Sequence, residues 1–224
     1  VKFFIVCLLS KGVTERYLWK KDVFCLQKFF IPSKCEYFYE GLCFNNTILS
    51  EVTVSKSNPF FKNCEENEKL ILGKSDNCNE NFDVIICACK DLKEVKIPSY
   101  IKSIGTFAFV NCEKLKKLDF PCDSQLEIIE RCAFSECGLE CLTLPRKVYS
   151  IESSAFDSCE NIKQFEFLGD FLLNKFGFLK LCTKLMIASF PNLQEIIVKS
   201  DDFKSNSPDF SLFICAGAKV NLLE

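Results

Sequence analysis

Histidine is absent from the 224 residues. That removes the commonest acid–base side chain and the commonest metal ligand. It also excludes any Ser–His or Cys–His nucleophile pair. Glycine and proline are scarce, at eight and seven residues, which excludes collagen-like and Pro-rich low-complexity chains. No G-x-G-x-x-G or G-x4-G-K-[ST] phosphate cradle occurs. No long hydrophobic run exists either. The longest, Phe3 to Leu9, falls far short of the ~20 residues a membrane-spanning helix needs, so this segment is expected not to insert in a membrane. Lys2, that run and Ser10 read either as a clipped signal peptide or as a terminal strand or helix packed on the domain end. The closing Asn221-Leu222-Leu223-Glu224 carries no lipidation signal. Neither sign of charge prevails: 28 basic and 30 acidic residues leave a net charge of −2. A nucleic-acid partner therefore has no electrostatic case.

Apolar residues, by contrast, make up 48% of the chain, with 16 cysteines and 24 phenylalanines. That is enough to bury a core and too much for a disordered chain. These residues recur in a pattern. Leu92, Val95, Ile97, Pro98, Ile101, Ile104, Ala108, Phe109 and Cys112 form one series. Leu115, Leu118, Phe120, Pro121, Leu126, Ile129, Ala133, Phe134 and Cys137 form a second, and Leu139, Leu142, Leu144, Pro145, Val148, Ile151, Ala155, Phe156 and Cys159 a third. Two residues are inserted after Pro121, and one is lost between Cys137 and Leu139. Weaker copies place the closing position at Val23, Asn46, Cys64, Cys89, Cys112, Cys137, Cys159 and Cys182, in steps of 18 to 25 residues. A period of this size is the mark of a solenoid. The frame divides the chain into a flanking or capping segment at 1–22, a solenoid at 23–191, and a degenerate terminal repeat at 192–224. An inserted loop is expected near Asp201 to Pro208.

Within one repeat, Val95 and Ile97 alternate with Glu94 and Lys96, which predicts a half-buried strand. Pro98 ends it, because proline has no N–H to donate. Ile101 and Ile104 turn the chain back, and Ala108-Phe109 supplies one small and one large inward residue. One such coil cannot bury its apolar edge alone. Stacking sets each Leu, Ile, Phe and Cys over its equivalent.

The pattern L-x-x-φ-x-φ-P…I-x-x-x-A-F-x-x-C, with φ apolar, resembles the BspA-type (Treponema pallidum-type) leucine-rich repeat. The resemblance is strongest over 89–167, extends over 23–191 and is absent from 1–22. It implies an α/β, mainly β, solenoid or horseshoe with one long parallel β-sheet and an irregular or short-helical convex side. It also implies a non-catalytic module for adhesion or protein recognition, with a protein or cell-surface ligand and no cofactor. Family members resemble bacterial and protozoan surface proteins, so the resemblance implies the cell surface or an extracellular location, while a reduced cysteine column is compatible with the cytosol. The chain departs from the family in its wealth of Phe, Lys and Cys and its scarcity of Gly, Ser and Thr.

The cysteines admit three readings. Six occupy one repeat position, so a reduced, buried column is preferred, since Cys packs as a small hydrophobe. Disulfides between coils are the second, with parallel side chains against them. Zinc is the third; Cys87-x-Cys89 and Cys132-x4-Cys137-x3-Cys141 lack the usual spacing, and no metal site is expected. Ser57-Asn58-Pro59-Phe60 contains a peptide resembling an endocytic docking motif, but Asn-Pro favours a turn and Phe60-Phe61 a core pair. The remaining candidate surface is the outward side of the sheet: Glu51, Thr53, Lys69, Ile71, Glu94, Lys96, Lys117, Asp119, Thr143, Gln164 and Glu166. Phe30, Ile71 and Ile187 are expected as its apolar ends. The alternative is a structural spacer array whose face is merely solvated.

Overall fold

A computed structural model describes residues 3–5, 26–38, 41–44, 46–76, 80–168, 192–199 and 219–223. Strands are numbered along the chain. The regular stack begins at β7 (Glu94–Lys96) and continues through β9 (Lys117–Asp119), β11 (Cys141–Leu144), β13 (Gln164–Leu168), β14 (Glu195–Lys199) and β15 (Lys219–Leu223). β7 pairs in parallel with β9, and β11, β13, β14 and β15 pair in parallel in that order. The pleat places Val95, Leu118 and Leu142 inside while Glu94, Lys96, Lys117 and Asp119 stand exposed. Proline closes β7 and β11 at Pro98 and Pro145, as the missing N–H requires. The chain is thus a solenoid of mainly strand, with a single helical turn, α1 (Gly41–Phe44), among the described residues.

The return side carries a second, narrower sheet. Its parallel strands β8 (Ser103–Ile104), β10 (Ile128–Ile129) and β12 (Ser150–Ile151) are two residues each. The arc that follows pays for its tightness in backbone conformation. Phe107, Asn111, Cys132, Glu136, Ser154 and Ser158 all have positive φ, between 54° and 59°, which costs about 1–2 kcal/mol for a side-chain-bearing residue. The compensation is hydrogen bonding between coils. Phe107, Phe109 and Asn111 donate to Arg131, Ala133 and Ser135 carbonyls at 3.3, 2.7 and 3.0 Å. Phe134 and Glu136 repeat the contact to Ala155 and Asp157 at 2.7 and 2.8 Å. Carboxylates add to it: Glu130 accepts from the Thr106 N–H (2.9 Å) and Glu152 from the Arg131 N–H (3.0 Å) of the preceding coil.

The one-residue deletion before Leu139 draws the chain against its neighbour. A Cβ on Gly138 would lie 1.9 Å from the Glu113 carbonyl oxygen, while the Gly138 N–H donates to Cys112 O at 3.1 Å. Gly138→Ala is expected to cost about 1–3 kcal/mol, because backbone rather than a pliable side chain must move. Gly73→Ala, whose nearest clash is a side-chain atom, the Ile86 Cγ2 methyl at 2.9 Å, is the control. Urea melts that rank Gly73→Ala as the worse variant would contradict this account.

The expectation of one long parallel sheet needs correction. β1 (Phe3–Ile5), β2 (Lys28–Ile31) and β3 (Glu51–Val54) form their own three-stranded parallel sheet. The next coil is replaced by an antiparallel meander: β4 (Lys62–Asn63), β5 (Leu70–Gly73) and β6 (Val84–Ala88). β6 then joins the narrow sheet through β8. The meander divides two cores. Ile71, Cys87 and Cys89 pack with Phe29, Val52 and Phe61, whereas Leu70, Leu72, Ile85 and Ala88 pack with the solenoid columns. Leu-Ile-Leu-Gly and Val-Ile-Ile-Cys-Ala do not alternate with polar residues, which suits strands buried on both faces.

Candidate binding face

The meander decides which predicted residues share a surface. Glu94 pairs in register with Lys117 and Lys96 with Asp119, and all four are exposed. Thr143 pairs with Glu166 and Cys141 with Gln164 on β11 and β13. These half-buried polar groups bond across coils: Thr143 Oγ1 donates to Glu166 Oε2 at 3.0 Å, and Gln164 Nε2 to Glu195 Oε2 at 2.9 Å. Lys117 and Asp119 form an ion pair of 3.6 Å along β9. Such exposed pairs are worth little in stability.

Glu51 and Thr53 lie elsewhere, on the separate β3 sheet, where Glu51 pairs with Lys28. Lys69 is bonded to Asp91 at 2.5 Å. Ile71 is a correction: it is fully buried in the meander and not outward, because both faces of β5 are covered. Of the expected apolar ends, Phe30 is 38% exposed but lies on β2 of that separate sheet; Ile187 lies outside the described residues, as do Val23, Cys182 and the loop at 201–208. Gln164 and Thr143 reach their partners only through register, which single-sequence reading cannot supply.

The cysteine column is internal. Cys64, Cys89, Cys112, Cys137 and Cys159 are buried, and none of the eleven described cysteines is in a disulfide. Burial pushes the Cys89 and Cys159 thiols up to about 12 and Cys112 up to about 11. Asn46 fills the same position, also buried, with Nδ2 donating to Leu26 O (2.9 Å) and Oδ1 accepting from the Ile48 N–H (3.0 Å). A polar residue fits the column there because both ends of its amide are satisfied. Asn58 is likewise a core anchor: Oδ1 accepts from the Phe60 and Phe61 N–H groups at 2.8 Å each, which makes its motif a turn. Cys64 and Tyr100 both donate to Glu66 Oε2 at 3.1 Å. Burial raises the Cys64 thiol, so this cluster presents a protonated sulfur, a poor nucleophile. Among the described residues no group of three or more His, Cys, Asp or Glu side chains is placed to hold a metal. No helix there is long and apolar enough to cross a membrane.

The comparisons with known proteins agree with this architecture. The family model for the BspA type leucine rich repeat region matches residues 83–207 in six copies. Among solved structures, a leucine-rich repeat protein from Eubacterium ventriosum superposes with a TM-score of 0.57 at 19% identity, over 77% of this chain and 42% of that one. The pneumococcal vaccine antigen PcpA gives a TM-score of 0.57 at 17% identity, over 89% of this chain and 56% of that one. At these identities the likeness is one of fold, and the chain spans about half the length of either protein. No curated protein matches. Leucine-rich repeats of this kind are typical of interaction and surface proteins and are generally non-catalytic. By its repeat, its stacked columns and the matching family model, this chain belongs to the BspA-type leucine-rich repeat family.

Proposed function

We propose that this chain is a non-catalytic recognition module that binds a protein ligand through the exposed face of β7 and β9 and its continuation on β11 and β13. The observation that carries the reading is the register. Glu94, Lys117, Lys96 and Asp119 form a two-by-two array of alternating charge on adjacent strands. An array of this kind selects by complementarity and has little nonspecific pull on DNA or acidic membranes. Extended solenoid faces are suited to such contacts. The test replaces Glu94, Lys96, Lys117 and Asp119 together with Ala. Folding should be unaffected, since all four are exposed, and partner capture should fall by at least ~10-fold, as expected when charged contacts at the centre of an interface are lost. Equal capture by the folded variant would reject this face. A spacer within a longer protein is the second reading. It is favoured by the contacts that Thr143, Gln164 and Lys117 already make within the sheet, and it predicts no specific partner at all.

A further inference from the structure

Two buried cysteines lie outside the stacked column and face each other. Cys43 sits on the helical turn α1 and Cys87 on the meander strand β6. Both are fully buried, in the core that also holds Phe29, Val52 and Phe61. Cys43 Sγ donates at 3.9 Å to the carbonyl of Ile86, the residue before Cys87, and the Cys43 and Cys87 thiols are hydrogen-bonded to each other. Two further contacts hold the turn in this place. Phe44 O accepts from Asn111 Nδ2 at 2.8 Å, and the Phe44 ring meets Phe107 at 5.0 Å.

The column thiols are engaged differently. Cys112 and Cys137 donate to Cys89 O and Cys112 O at 3.8 and 3.5 Å, and Cys159 donates to Phe134 O at 2.9 Å. Each turns its sulfur to a backbone carbonyl of the preceding coil, whereas Cys43 and Cys87 bring sulfur to sulfur from two elements far apart in the chain. Lys90 adds a charge beside them. It is only 3% exposed, and its Nζ donates to Val110 O at 2.6 Å. The hydrogen bond to Cys43, and then burial, push the Cys87 thiol well above its ordinary 9.0, and the Lys90 charge works against both. The thiolate is the form that attacks a disulfide, so a buried ammonium next to the pair favours the reactive species.

We propose that Cys43 and Cys87 are a disulfide-forming pair, oxidised by a small disulfide of the glutathione class, and that their bond staples α1 to β6. The reaction is a double exchange. One thiolate attacks a sulfur of oxidised glutathione, expels one glutathione thiol and leaves a mixed disulfide. The second thiolate attacks the protein sulfur of that bond and expels the other glutathione. The chain loses two hydrogens and two electrons, and the two reduced glutathiones carry them away. The sulfurs close from hydrogen-bonding distance to about 2.05 Å, and α1, four residues long, is the element that moves. Because both sulfurs are buried, exchange waits on the lifting of α1, and the finished bond is shielded from reductants in turn. The column stays reduced. None of this depends on the β7–β9 face, and either proposal can fail without the other.

The test equilibrates the folded full chain over a range of ratios of oxidised to reduced glutathione, blocks the remaining thiols with N-ethylmaleimide and maps the peptides by mass spectrometry. A Cys43–Cys87 linked peptide, two hydrogens lighter than its parts, should be the main cross-link, with Cys89, Cys112, Cys137 and Cys159 recovered as maleimide adducts. The oxidised chain should melt about 5–10 °C above the reduced one, as closing a long loop in a chain of this size does. Cys43→Ala should lose both the linked peptide and the rise, while Cys122→Ser, whose thiol is exposed, should keep both. Should Cys43→Ala not fold, the peptide map of the parent chain decides alone. Cys43 and Cys87 recovered as maleimide or glutathione adducts across the whole range would overturn the proposal. So would a bond from either one to a different cysteine, or a melting rise that survives in Cys43→Ala.

Discussion

Raising the pH from 8 to 10.5 is expected to destabilise the protein steeply, and the cysteine column is the reason. Unfolded, these thiols titrate near their ordinary value of 9.0, whereas burial holds Cys89 and Cys159 at about 12 and Cys112 at about 11 in the folded chain. Between those values the folded state keeps protons that the unfolded state has lost. Stability is therefore complete below pH 9 and falls as pH rises towards 12. Each such thiol lowers it by about 1.4 kcal/mol per pH unit within that window, or about 2 kcal/mol by pH 10.5. Three of them together approach the whole stability of an ordinary domain. Urea midpoints across this range measure the slope, and Cys159→Ala should reduce it by one thiol's share. A midpoint unchanged at pH 10.5, or a Cys159→Ala slope equal to the parent's, would show that the column does not control it.

Phe134→Ala is expected to cost about 3–5 kcal/mol, the range for emptying a buried aromatic site. Phe134 is fully buried. Its ring stacks on Phe109 at 5.0 Å and 15° and on Phe156 at 5.2 Å and 4°. Truncation removes both stacks, each worth about 0.5–1.5 kcal/mol beyond area, and leaves a void that the Ala133 and Ser135 backbones cannot close while bonded to the preceding coil. Phe156→Ala should also be costly, since Phe156 meets Phe165 edge-on at 6.3 Å as well as Phe134. The double variant should cost less than the sum, because the two share one contact. Chemical denaturation of the three variants gives the cycle. A Phe134→Ala cost near 1 kcal/mol, or strict additivity, would mean the column is not packed as described.

The columns themselves were legible in the sequence. Leu92, Leu115 and Leu139, or Phe109, Phe134 and Phe156, recur because only like side chains can be stacked at a coil's spacing, and the same residues are buried in the structure. The alternation at Glu94-Val95-Lys96 likewise told inward from outward. The frame misled at Ile71, where a repeat register was carried through a segment that does not keep it. The warning was local: Leu70 to Gly73 lacks the polar residue that an outward strand position needs. Asn63 gave no signal, although its amide ties β4 to the edge of β3, donating to Val52 O at 2.7 Å and accepting from the Val54 N–H at 2.8 Å. Gly138 was visible only as a deletion; its closeness to the Glu113 carbonyl is a consequence of packing.

What the sequence by itself determined is the coil: its length, its strand, its inward residues and the buried cysteine column, because a repeated apolar pattern has few ways to be buried other than on its own copies. Only the tertiary structure decided that the stack is interrupted. Whether adjacent coils pair in parallel or give way to an antiparallel meander depends on hydrogen bonds between residues far apart in the chain. No local pattern encodes that choice, and it placed Glu51 and Thr53 on a sheet apart from the β7–β9 pair that carries Glu94, Lys96, Lys117 and Asp119.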